Sequence, residues 1–179
     1  VMIEKDKVLV FGGKQQGKEY SPSNKVFLID FSDSFKPQIK ELKSMNFARS
    51  NGNATIMPDG NIFLNGGHSY TTDLEFSVFT PEIYNPNTQT TKEMSNAYFR
   101  RNYHASSLLL PDGRILTAGG DVWNAEIFYP PYLFTKDINN KTVLAERPRI
   151  ISIEKNIKRG EKVEIEVDGE ISKVSLIST

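Results

Sequence analysis

Short apolar runs alternate with polar and turn-forming residues along this chain, and their spacing predicts strands rather than helices. Three of the runs end in a Gly-Gly pair: Val8-Leu9-Val10-Phe11-Gly12-Gly13, Ile62-Phe63-Leu64-Asn65-Gly66-Gly67 and Ile115-Leu116-Thr117-Ala118-Gly119-Gly120. The pairs lie 54 and 53 residues apart. Pro58-Asp59-Gly60 and Pro111-Asp112-Gly113 precede the second and third, and Lys5-Asp6-Lys7 holds that place in the first. Pro presets φ and Gly accepts positive φ, so each triplet turns one strand back on another. The predicted unit is a strand (Ala54–Ile56, Ser107–Leu110), the turn, the Gly-Gly strand, then a third strand at Glu82-Ile83-Tyr84 or Glu126-Ile127-Phe128, with Lys25–Ile29 in that position in the first unit. Arg49 and Arg101 stand at similar distances before the two Pro-Asp-Gly turns. The best helix candidate, Ser34–Met45, has Pro37 near its start and poor 3.6-residue spacing, so it reads as strand and loop.

Several short strands in units of roughly 50 residues, each with Gly-Gly at a strand end, correspond to kelch-type β-propeller blades. Gly-Gly and Pro-Asp-Gly also punctuate hairpins in ordinary β-sandwiches; three copies at near-constant spacing favour the propeller. After about residue 145 the character changes. Ile150–Ile153 reads as a strand, and 156–160 as a turn. Lys162–Val167 alternates, with Val163, Ile165 and Val167 on one face and Lys162, Glu164 and Glu166 on a solvated one; Val174 and Leu176 suggest a third strand. The expected fold is all-β: residues 1–145 form two to three kelch blades, and 146–179 begin an immunoglobulin-like β-sandwich. A closed propeller needs roughly 4–8 blades, so the chain is expected to be part of a longer protein.

Composition narrows the function. Lys+Arg and Asp+Glu both number 22, so a nucleic-acid binder working by phosphate neutralisation is not expected. With no Cys, the chain itself holds no disulfide, thiolate metal site or thiol nucleophile. No apolar run is long enough for a membrane span, and the opening VMIEKDKVLVFGG is neither a signal nor a transit peptide. The candidate chemistry lies in Arg101-Asn102-Tyr103-His104. Adjacent side chains of a regular strand point to opposite faces, but in a loop leading into a strand they can converge on one ion. An imidazole nitrogen and a phenol oxygen suit copper. The plainer reading is a packed Tyr beside a hydrogen-bonded His. His68, the other His, reads as a solvated or loop-packing residue. Asn53-Ala54-Thr55 and Asn140-Lys141-Thr142 are sequons that matter only in a secreted protein from a glycosylating host.

Arg101-Asn102-Tyr103-His104, followed by Leu-Leu-Leu-Pro-Asp-Gly-Arg and Gly-Gly, resembles the galactose oxidase and glyoxal oxidase family of copper-radical oxidases. The likeness extends to Phe47-Ala48-Arg49 before Met57-Pro58-Asp59-Gly60, to Phe79-Thr80-Pro81-Glu82-Ile83-Tyr84, to Ala125–Phe134 with Arg147-Pro148, and to Ile171–Ile177. The resemblance implies a copper ion held by Tyr103 as axial and His104 as equatorial ligand, with Tyr103 as the base for the substrate proton. It further implies a second His from the C-terminal domain and a radical Tyr crosslinked to Cys. With no Cys here, that Tyr–Cys pair is expected outside this chain. The implied reaction oxidises a small primary alcohol, aldehyde or carbohydrate with O2, giving hydrogen peroxide, in a secreted or extracellular protein without nucleic-acid partner or membrane span. Residues 14–20 and 69–75 are expected on the substrate face without matching family motifs, so the substrate is left open. The 179 residues alone are expected to be inactive. The alternative is a non-catalytic kelch propeller that binds glycans or proteins; an intracellular kelch adaptor is disfavoured by the alternating segment after Ile150.

Overall fold

The alternating runs pair with one another in chain order. The computed structural model describes all residues except 15–20, 34, 71–73, 155, 172 and 178–179. Strands β1 (Met2–Glu4), β2 (Lys7–Phe11), β3 (Val26–Asp30) and β4 (Gln38–Leu42) form one antiparallel sheet in the order β1-β2-β3-β4. Strands β5 (Asn53–Ile56), β6 (Ile62–Asn65), β7 (Glu82–Asn85) and β8 (Thr90–Glu93) repeat the pattern. Strands β9 (Ala105–Leu109), β10 (Ile115–Gly119) and β11 (Glu126–Phe128) form a third, three-stranded meander. All three belong to one compact unit, Val1–Pro130. The Pro-Asp-Gly turns close β5 on β6 and β9 on β10; Gly60 and Gly113 have φ of +88° and +82° and donate to the carbonyls of Met57 and Leu110. The segment expected to be strand and loop rather than helix contains β4.

Alternation decides which sheet each residue meets. Leu9 and Val26 from the first sheet, with Met45 from the segment after β4, pack with Ile62, Leu64 and Tyr84 from the second, all buried. Phe11 meets Tyr84 edge-on, with centroids 5.3 Å apart. On the opposite face of the second sheet, Phe63 stacks on Phe128 of the third at 4.4 Å, and Thr55 Oγ1 hydrogen-bonds Ser107 Oγ at 2.8 Å. The middle sheet is thus covered on both faces, which is why all four residues of β6 are buried. Each flanking sheet has a second apolar row: Met2, Val8, Ile29 and Ile39 pair across the first, and Leu108, Leu116 and Ile127 across the third. The ends of these rows are exposed, 66% at Met2, 68% at Ile39 and 58% at Leu108.

The Gly-Gly pairs act between sheets. Gly13 N–H donates to the Arg49 carbonyl at 2.8 Å, and Gly67 N–H donates to the Arg101 carbonyl at 2.7 Å. Each arginine thus lies on the Gly-Gly end of the preceding sheet while its guanidinium turns into its own sheet. Arg49 Nε and Nη2 donate to Glu82 Oε2 at 3.1 and 2.9 Å, and Nη1 donates to the Gly66 carbonyl at 2.8 Å. The other Glu82 oxygen accepts from Asn46 N–H at 2.7 Å. Arg101 is held similarly by Thr117 Oγ1, the Asn124 carbonyl and Glu126, whose carboxylate also accepts from Tyr98 and Phe99 N–H. Burial pulls both guanidinium pKa values below the ordinary arginine value, and the facing carboxylates oppose that pull. In the first sheet Phe27 stands where Glu82 and Glu126 stand, since Val10↔Phe27, Leu64↔Glu82 and Thr117↔Glu126 are equivalent pairs.

A second unit begins at Pro131. Within it, β12 (Phe134–Lys136) pairs with β13 (Thr142–Leu144), and β14 (Ile150–Ile153) pairs with β15 (Ile165–Val167). Arg149 N–H and Nε donate to the two oxygens of Asp168 at 2.6 and 2.8 Å, closing the β14–β15 ladder at one end. Lys162, Glu164 and Glu166 are exposed, as their alternation with Val163, Ile165 and Val167 requires. The third strand expected at Val174 and Leu176 is not formed: residues 173–177 have no ladder partner, and Leu176 is fully exposed. A strand needs an apolar face to cover, and both Ile150 and Ile153 of the neighbouring pair remain exposed. Among the described residues no helix is long and apolar enough to cross a membrane.

Two stability tests follow for the intact protein. A Cβ at Gly66 would sit 1.9 Å from the Arg101 carbonyl oxygen, whereas one at Gly60 meets nothing within 4 Å. Both glycines have positive φ. Gly60→Ala should therefore cost about 1–2 kcal/mol in chemical denaturation from left-handed strain alone, and Gly66→Ala at least twice as much. Glu82→Gln should cost about 3–5 kcal/mol by leaving Arg49 buried without its counter-charge, while Arg49→Met with Glu82→Leu should cost clearly less than Glu82→Gln.

Candidate active site

The connection from Arg101 into the third sheet is one residue longer than that from Arg49 into the second, and it carries Tyr103 and His104. Arg49 and Arg101 are 52 positions apart, but the Pro-Asp-Gly turns are 53 apart. The ladder agrees with the turns, because Ile56↔Ile62 corresponds to Leu109↔Ile115. The segment from Arg101 to Ser106 is therefore one residue longer than that from Arg49 to its register equivalent, Asn53. The extra length is taken up in a turn: Ala105 N–H donates to the Asn102 carbonyl at 3.0 Å, with Tyr103 and His104 at its corners.

His104 has a φ of +63°. A left-handed residue breaks the strand alternation that would send neighbouring side chains to opposite faces. Tyr103 and His104 instead stack side by side, with ring centroids 3.8 Å apart and planes at 29°. Both are exposed. The turn stands on a fixed base. Arg101 and Asn102 before it are 1% and 2% exposed. Asn102 Nδ2 donates to Ser77 Oγ at 2.8 Å, tying the turn to the loop that follows Gly67. On its other side, Gly119 pairs with Ala105, and a Cβ at Gly119 would lie 3.0 Å from the His104 carbonyl oxygen.

An imidazole and a phenol, adjacent and exposed, are a donor pair that fits copper(II). Among the described residues no group of three or more His, Cys, Asp or Glu side chains is arranged to hold a metal. His68 is not solvated, the first of the alternatives expected for it. It is 2% exposed and held in backbone bridges to Ser50 and Ser77, so it packs a loop junction. In the sequence Arg49 and Arg101 stand out by their spacing alone; their structural partners, Glu82 and Glu126, open β7 and β11. Trp123 carries no such signal. This residue is fully exposed in the loop leaving Gly120, at the same end of the sheets as Tyr103 and His104, with Tyr70 and Tyr98 also exposed at that end. Of the loops expected on the substrate face, residues 15–20 and 71–73 lie outside the described residues.

Residues 2–138 match the family model described as glyoxal oxidase N-terminus. The chain is 33% identical over 186 aligned positions to a galactose oxidase of Gibberella zeae, covering 97% of this chain and 27% of that protein. An aldehyde oxidase of Arabidopsis thaliana is 27% identical, covering 90% of this chain and 30% of its own length. The chain thus spans little more than a quarter of these relatives. Among solved structures, a fungal alcohol oxidase of the AA5 family, in complex with copper, superposes with a TM-score of 0.81 at 24% identity, covering 94% of this chain and 38% of the other. That likeness fits the successive antiparallel meanders of the first unit to a kelch-type propeller. The chain belongs to the galactose oxidase and glyoxal oxidase family.

Proposed function

We propose that this chain is part of an extracellular copper-radical oxidase that converts a primary alcohol and O2 to an aldehyde and hydrogen peroxide, or a hydrated aldehyde and O2 to an acid and hydrogen peroxide. The observation carrying this reading is the left-handed turn at His104, which sets a phenol and an imidazole side by side and exposed on a rigid base. Tyr103 Oη and a His104 ring nitrogen are the two metal donors from this chain. Copper, with a Tyr–Cys radical contributed from outside these residues, supplies the two-electron acceptor. The chain's own residues position the substrate and handle its proton. Tyr103 Oη takes the hydroxyl proton of an alcohol within hydrogen-bond reach, about 2.6–3.2 Å. Arg101 and Asn102 hold the backbone from which this side chain is presented.

In the same reading, residues 1–145 are blades of a larger propeller and 146–179 open an immunoglobulin-like domain. The exposed apolar rows of the first and third sheets support this, because a propeller sheet is covered by a neighbour on each face, as the middle sheet is here. The residues of β12 and β13 then lie on the propeller side by sequence, although they fold with the second unit. A glycan- or protein-binding propeller without catalysis is the second reading; exposed Trp123, Tyr70 and Tyr98 at the site's end favour it.

The test uses the full-length protein. It should bind copper and release peroxide with at least one of a panel of primary alcohols and aldehydes; absence of copper would overturn the oxidase reading and leave the binding one. Tyr103→Phe should retain most of the copper and lose most turnover, and unchanged turnover would remove Tyr103 as the base. His104→Gly should keep the turn, since Gly accepts positive φ, while lowering copper content; the thermal midpoint and metal analysis separate the two effects. The 179 residues alone should release no peroxide.

A further inference from the structure

We propose that Asn140 is an N-glycan attachment site, and that Asn53, although in an equivalent tripeptide, is not. The two sequons look alike in sequence, Asn53-Ala54-Thr55 and Asn140-Lys141-Thr142. Their structural settings are opposite. Asn140 lies in the five-residue turn between β12 and β13, since Lys136 and Thr142 are the last paired residues. Asn140, Lys141 and Thr142 are all exposed. The turn is held without the Asn140 side chain: Asp137 Oδ1 accepts from Asn139 and Lys141 N–H at 2.9 and 2.8 Å, and Asn140 N–H donates to the Asp137 carbonyl at 2.9 Å. The φ of Asn140 is +61°, a conformation Asn tolerates, at the tip of a tight turn. Its amide is therefore available to an enzyme, and a large polar substituent can leave into solvent without displacing a packed group.

Asn53 opens β5 and pairs with Asn65. Two residues on, along the same strand face, Thr55 is 8% exposed, and its hydroxyl is bonded to Ser107 of the third sheet. Asn53 is itself half-buried, so a glycan there would have to leave past the third sheet. Both sequon hydroxyls are bonded, but Thr55 Oγ1 is buried in that inter-sheet contact, whereas Thr142 Oγ1 accepts from Lys136 Nζ at 2.8 Å on an exposed residue.

The co-substrate class is a polyprenyl-diphosphate oligosaccharide. The Asn140 Nδ2–C1 glycosidic bond forms as the C1–O bond to the diphosphate breaks; the polyprenyl diphosphate leaves with the bonding pair, and the amide proton passes to base. No oxidant or reductant enters. A branched glycan there would stand two residues from Ile138, an apolar side chain fully in water, and would screen it. The proposal rests on the extracellular reading for its setting but not on the oxidase chemistry.

The full-length protein, secreted from yeast or insect cells, is digested and mapped by mass spectrometry before and after peptide-N-glycosidase, which converts a glycosylated Asn to Asp. The expected result is conversion at Asn140 and an unmodified Asn53, with Asn140→Gln and Thr142→Ala each removing one glycan's mass and Asn53→Gln removing none. An unmodified Asn140, or a glycan on Asn53, overturns the proposal. Mapping of the unsubstituted protein gives the answer even if a variant fails to fold. A protein that carries the Asn140 glycan but binds no copper leaves this inference standing and removes the oxidase reading.

Discussion

The structure of the first unit hangs on an arginine that faces two ways. Its carbonyl accepts the second N–H of the preceding Gly-Gly pair, and its guanidinium enters a carboxylate in its own sheet. The first contact demands glycine, because a Cβ at Gly12 would lie 2.4 Å from the Arg49 carbonyl oxygen and one at Gly66 would lie 1.9 Å from that of Arg101. The second demands a buried acid, because an arginine taken out of water without a counter-charge is costly. Apolar burial brings the sheets together without direction; these hydrogen bonds fix which end meets which.

The same device fixes the segment that leads to Tyr103 and His104. Arg101 is anchored on Gly67 behind it and on Thr117, Asn124 and Glu126 beside it. The residues that follow therefore start from a fixed point. The connection from Arg101 to Ser106 holds one residue more than the equivalent one from Arg49 to Asn53, and in it lies the turn bearing Tyr103 and His104. The second sheet's connection, Ser50-Asn51-Gly52, also has one left-handed residue, Asn51 at φ +57°, but no ring pair. A scaffold repeat and a departure from it are thus neighbours in the chain.

Much of this was written in the chain. Pro-Asp-Gly and Gly-Gly punctuation at near-constant spacing determined the strands, their hairpin order and the repeat, because turn chemistry and period-two alternation are local properties. The pairing of Tyr103 with His104 as a candidate was legible from residue types and from the resemblance around them. Other features were not. Whether Val174 and Leu176 form a strand depends on a partner with an apolar face, which alternation alone does not supply. The burial of His68 depends on Ser50 and Ser77, neighbours brought to it by the fold.

What the sequence by itself determined is the repeated hairpins of the first unit and the adjacency of Tyr103 and His104. What only the tertiary structure decided is direction: that Arg49 and Arg101 point inward to Glu82 and Glu126, that His104 adopts a positive φ, and that two adjacent rings share one side. It also separated two sequons that read alike, leaving Asn140 exposed in a turn and Asn53 half-buried at the start of β5. The physical reason is common to all of these. Side-chain direction and exposure depend on backbone torsions and on partners many residues away, and neither is a property of the local run in which the residue is read.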